Sequence, residues 1–136
     1  MFGTDRAALR QQFYQAWAKH QQQQLLSPLE AEIVAVILMH PEYHDFFNDA
    51  PINPCSASEN TDVFLHLSLH LSLWEQLSTN RPRGIQTIYQ ELLQKYNDEL
   101  IVEHDMMECL SHTLWLALHN NQPLDEAAYL ASLRRL

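Results

Sequence analysis

His66 and His70 stand four residues apart inside the most apolar stretch of the chain, Val63-Phe64-Leu65-His66-Leu67-Ser68-Leu69-His70-Leu71-Ser72-Leu73-Trp74. An imidazole among leucines needs a hydrogen-bond partner or a metal. The spacing recurs in His104 with Glu108, and again in His40 with His44 around Pro41. One helical turn apart, side chains have Cβ atoms about 6 Å from each other and can reach one ion. These pairs therefore point to metal ligation. A neutral imidazole with a carboxylate suits zinc, iron or manganese, and the scarcity of thiolates disfavours copper(I). The expected ligands are His66 and His70 for one half of a site, His104 and Glu108 for the other, and His44 or His40 as a further donor. Glu103, among Met107, Leu110 and Leu114, is expected to be a ligand, an acceptor for a ligand's N–H, or a residue at the wet end of a bundle.

That assignment requires a helix, yet Leu65 to Leu73 alternates between leucine and polar residues as a half-buried strand would. In a strand, residues four apart are separated by roughly 13 Å, too far to share an ion. At helical periodicity Ser68, Ser72, Glu75 and Gln76 collect on one arc with Leu65, while the other leucines and Trp74 fill the remainder around His66 and His70. Leucine is a strong helix former, only Val63 is β-branched, and a lone strand would have nothing to pair with. A helix is predicted, capped by Asp62 or Thr61.

The other elements are also read as helices. One runs from Asp5 to Gln24, capped by Thr4 or Asp5, with the stripe Leu9, Phe13, Ala16, Trp17, His20. The next opens at Ser27-Pro28, carries Leu29, Ile33, Val36, Ile37 and His40, and is stopped by Pro41. A short helix covers Pro41 to Asn48, and Asn48 to Thr61 is expected to be a surface loop. After the turn Asn80-Arg81-Pro82-Arg83-Gly84, helices are predicted over Pro82–Tyr96, Glu99–Asn120 (stripe Glu103, Met107, Leu110, Leu114, Leu118) and Asp125–Arg135. With two glycines in 136 residues, the fold class is all-α. The expectation is a single domain, 1–136, of about six helices, four longer ones packed as a bundle.

Composition excludes several functions. A net charge of −9 argues against nucleic acid and anionic membrane surfaces as partners. Cys55 and Cys109 form no CxxC pair, which fits a reducing interior. No apolar run approaches membrane length and Met1 to Arg6 contains no signal core, so a cytoplasmic protein is expected. Gly3 and Gly84 build no phosphate loop, and Cys109 reads as a small apolar residue. A small-molecule or protein partner is left open, as is a homodimer. The competing reading is a non-catalytic helical interaction module whose histidines bond buried carboxylates such as Glu103 and Glu30. His20 reads as a helix-end histidine, and His112 and His119 as exposed.

The chain also resembles a small bacterial family, the domain-of-unknown-function family 1841. The matching pieces are Phe2 to Lys19 (FGTDRAALRQQFYQAWAK), HPEYH at His40 to His44, Phe64-Leu65-His66 with His70, and Glu75-Gln76. Arg81-Pro82-x-Gly84-Ile85, Glu103-His104-x-Met106-Met107-Glu108-Cys109-Leu110, Leu114-Trp115 and Asp125 to Leu130 complete them. The resemblance implies a stand-alone bacterial domain and brings no activity with it. The Asn48–Thr61 segment and His112 depart from the family's pattern.

Overall fold

The computed structural model describes residues 6–48 and 61–136. Among them the structure is all-α, with seven helices and no strand: α1 (Arg6–Gln21), α2 (Pro28–Leu38), α3 (His44–Asn48), α4 (Thr61–Thr79), α5 (Ile85–Tyr96), α6 (Glu99–His119) and α7 (Glu126–Arg134), plus a 3₁₀ turn at Pro41–Tyr43. The alternating leucines are helical, as the helix propensity of leucine demands. The expected caps at Thr4, Asp5, Thr61 and Asp62, the Asn48–Thr61 loop and Cys55 lie outside the described backbone or side chains. The chain divides after Leu71 into two compact units.

In the first unit, α1 packs on α2. Ser27 starts α2 as a capping box: its hydroxyl accepts from the Glu30 N–H (3.2 Å), and the Glu30 carboxylate accepts from the Ser27 N–H (2.9 Å). Lys19 at the end of α1 bonds the other Glu30 oxygen at 2.8 Å. The core is aromatic. Phe13 of α1, Phe47 of α3 and Phe64 of α4 are almost fully buried, and Tyr14 and Phe46 join them with ring centroids 4.9–6.4 Å apart. Arg10 lies over the Phe64 ring at 5.1 Å. Ile33, Val36 and Ile37 are buried on α2 as the stripe predicts, but Leu29 in its first turn is 50% exposed.

In the second unit, α6 packs against α5 and α7. Asp98 caps α6 through the Ile101 N–H (3.1 Å), and Asp125 caps α7 through Ala128 (3.0 Å). The α6 stripe differs from the one expected. Val102, Glu103, Met106, Met107, Leu110 and Thr113 are buried, whereas Leu114 is 38% and Leu118 83% exposed. An i, i+3, i+4 ladder can be drawn along either of two neighbouring ridges of a helix. The real one drifts toward Val102–Met106–Thr113, and past Thr113 no residue of α6 is buried. Helix α5 begins at Ile85, not Pro82. Gly84 precedes it at φ +102°, and the Asn80 side chain accepts from the N–H groups of Gly84 and Gln86 at 3.2 Å each.

Two measurements check this account. A Cβ at Gly84 would meet nothing within 4 Å, so the cost of Gly84→Ala comes from its backbone angle. We expect a loss of about 1–2 kcal/mol in urea unfolding with unchanged m; no loss would show that the turn relaxes. The Lys19 bond, followed by the Ser27 N–H, holds the Glu30 carboxyl below its usual range. A depressed native pKa stabilises the fold above the unfolded-chain value and loses that contribution as pH falls through the native value. In Lys19→Met the Glu30 resonance should therefore titrate at higher pH; an unmoved midpoint would remove Lys19 as the cause.

Candidate metal centre

The end of α2 shows how the sequence builds the site. A helix leaves its last carbonyls without backbone donors, and Pro41 has no N–H to offer the carbonyl of Ile37 four residues before it. The chain answers with a tightened turn and two imidazoles. The His40 backbone N–H bonds the Ile37 carbonyl at 3.0 Å. The Val36 carbonyl accepts from His40 Nδ1 at 2.7 Å, and the Ile37 carbonyl also accepts from His44 Nε2 at 3.0 Å. Because Nδ1 of His40 is the donor, its Nε2 in the neutral ring is a bare lone pair.

That lone pair faces α4. His40 Nε2 lies 3.0 Å from His66 Nε2. The His40 ring centroid is 4.8 Å from that of His66 and 5.1 Å from that of His70, with His66 and His70 6.3 Å apart. One ring nitrogen of each of the three lies within 4.8 Å of the others. His40 is 1% exposed and His70 0%, with His66 half-buried. Tyr43 flanks the group, stacked on His40 (5.5 Å, 13°) and edge-on to His66 (6.1 Å, 74°). Two nitrogens bound to one tetrahedral zinc at about 2.0–2.1 Å sit about 3.3 Å apart. The His40–His66 spacing is close to that value, and this group could hold a metal ion.

His44 and the candidates on α6 are placed as follows. His44 turns away: its Nε2 is used on Ile37, and its ring lies 5.0 Å from that of Trp17, which also meets His20 at 5.4 Å. Its four-residue spacing from His40 does not put the two imidazoles together, because the 3₁₀ turn intervenes. His104 is half-buried on α6, and Glu108 is exposed there. Glu103 is 5% exposed; its two oxygens accept from Trp74 Nε1 (2.8 Å) and the Tyr89 hydroxyl (2.7 Å). Burial, then the bond to Glu103, pushes the Tyr89 hydroxyl well above its ordinary range, so it stays a donor at every working pH. Glu30 is held by Lys19 and Ser27. Burial raises the Cys109 thiol, partly opposed by a bond with Ser132; a raised thiol is a poor nucleophile.

A family model described as Domain of unknown function (DUF1841) matches residues 5–135. The chain belongs to that family. The family match spans His40, His66 and His70 along with nearly all of the chain. No curated protein and no solved structure matches it. No helix among the described residues is long and apolar enough to cross a membrane.

The Glu103 network yields a stability test. Tyr89→Phe removes a donor to the buried Glu103 carboxyl. Bonds to charged groups contribute about 1.5–3 kcal/mol, so a loss of that size is expected in urea unfolding. A change under about 0.5 kcal/mol would mean that the carboxylate does not depend on Tyr89.

Proposed function

We propose that this DUF1841 protein binds a divalent transition metal, zinc, iron or manganese, through His40, His66 and His70, with His104 as a fourth donor. The observation that carries the proposal is the state of His40. It is buried, its Nδ1 is committed to a backbone carbonyl, and its Nε2 points at a second imidazole. Metal-ligating histidines almost always donate their other ring N–H in this way, which fixes the tautomer and the orientation. His104 is proposed from the sequence, as the histidine of the His104–Glu108 pair. We leave His44 and Glu108 outside the ligand set, since His44 Nε2 is bonded to Ile37 and Glu108 is exposed. An imidazole set favours zinc or ferrous iron over manganese, which prefers oxygen donors. Two cysteines without a CxxC spacing support a cytoplasmic setting.

A second reading rests on the same 3.0 Å contact. His66 Nε2–H can simply donate to His40 Nε2, making the histidines the hydrogen-bonded core of a helical interaction module. The experiment separating the two uses protein purified without a histidine tag. Elemental analysis should find close to one metal per chain after reconstitution, and a chelator should lower the melting temperature of the wild type only. A ligand present at 1,000 times its Kd stabilises by about 4 kcal/mol, so the effect should be easily visible. The His66→Ala/His70→Ala double variant should bind no metal and ignore the chelator. Less than about a tenth of a metal per chain would leave only the second reading, since a preformed structural site should fill.

A further inference from the structure

We propose that two copies of this chain associate through the second half of α6, packed antiparallel about a two-fold axis. Such an association needs no metal. Helix α6 buries Val102, Met106, Leu110 and Thr113. The face opposite them carries Trp115, 57% exposed, and Leu118, 83% exposed, with Leu114 and Leu116, both exposed, on either side. The last turns of the helix are thus apolar almost all round, a pattern that belongs in an interior, yet they end in solvent. His119 stacks on Trp115 at 4.8 Å and 8°, so the outward face is a flat pair of rings among leucines. Aromatic side chains without neighbouring charge make up the core of protein interfaces.

Charge selects the occupant. Residues 109–124 contain no Asp, Glu, Lys or Arg, the longest such run in a chain of net charge −9. Two copies repel each other over much of their surface, but not here, and this run offers a strongly charged partner no counter-charge. The face is also complementary to itself. Glu108, His112, Trp115 and His119 are exposed and stand at intervals of four, three and four residues, on an arc of about 60°. Those intervals read the same in both directions. With the axis midway between His112 and Trp115, His112 faces Trp115 of the second copy and Glu108 faces His119 of the second copy. Each contact is made twice, as an isologous interface requires. An imidazole N–H can donate to the carboxylate, and an imidazole can lie on the indole as His119 already does within one chain. Glu108 and His119 of the same chain are about 16 Å apart along the helix and cannot satisfy each other.

Sedimentation velocity from about 1 to 100 μM spans a micromolar affinity and tests this. The wild type should sediment as a dimer at the top of that range. Trp115→Ala and His119→Glu, both at exposed positions, should keep the helical circular dichroism of the wild type and raise the dissociation constant at least about tenfold. Glu108→Lys added to His119→Glu should restore the dimer, because the exchanged charges meet again across the axis. A wild type that stays monomeric throughout, or a dimer that Trp115→Ala leaves intact, would overturn the proposal. A Glu108→Lys/His119→Glu chain that remains monomeric would exclude the antiparallel pairing and overturn it too. Growth past the dimer would mark a heterologous contact, with the same consequence.

Discussion

The arrangement depends on how α2 satisfies two of the carbonyls in its last turn. Pro41 withholds the N–H that would have continued the helix, and the carbonyls of Val36 and Ile37 are satisfied by His40 and His44. Each imidazole thereby spends one nitrogen on the backbone. For His40 the nitrogen spent is Nδ1, leaving Nε2 to face α4; for His44 it is Nε2, and the ring goes to Trp17 instead. A helix stop and the orientation of an imidazole are thus produced by one local event. Replacing Pro41 would offer Ile37 an ordinary backbone donor and remove the reason for His40 to fold back.

The second requirement is that α4 present His66 and His70 at a fixed depth. Phe64, two residues before His66, sits in the ring cluster formed with Phe13, Tyr14, Phe46 and Phe47. Aromatic pairs at these separations contribute about 0.5–1.5 kcal/mol each beyond the area they bury, and edge-to-face packing resists rotation as well as translation. Turning α4 by one residue would carry Phe64 out of the cluster and His70 away from His40 together. Packing energy distant from the imidazole nitrogens is what keeps them aligned, and Tyr43 extends the aromatic surface up to the histidines themselves.

Much of this was legible in the sequence, for identifiable reasons. The leucine run resolves as helix because leucine favours helix and a strand would have no partner. Ser27, Asp98 and Asp125 announce their helices because capping is a local interaction. His66 and His70 stand out because they share one helix. What sequence could not rank was His40 against His44. Both flank Pro41, and only the 3₁₀ turn decides which imidazole reaches a helix 26 residues away. The α6 stripe failed for a related reason: periodicity defines an apolar face to within one ridge, and the neighbours choose the ridge. The positive φ of Gly84 explains why α5 starts three residues later than Pro82 suggests, since a proline favours a first turn that the left-handed residue then postpones.

The contrast between the two buried polar groups carries the functional argument further than either alone. Glu103 receives two neutral donors, Trp74 and a phenol whose proton is secured by burial. The histidine group is differently constituted. His40 Nε2 is an acceptor by virtue of the Val36 bond, and something positive must lie between it and His66 Nε2 at 3.0 Å. A proton on His66 meets that demand for two of the rings, and His70, fully buried, lies beside them as a third imidazole. A metal ion can serve all three at once. A hydrogen bond between His40 and His66 needs only two imidazoles, and the third beside them is what the proposed ligation would use.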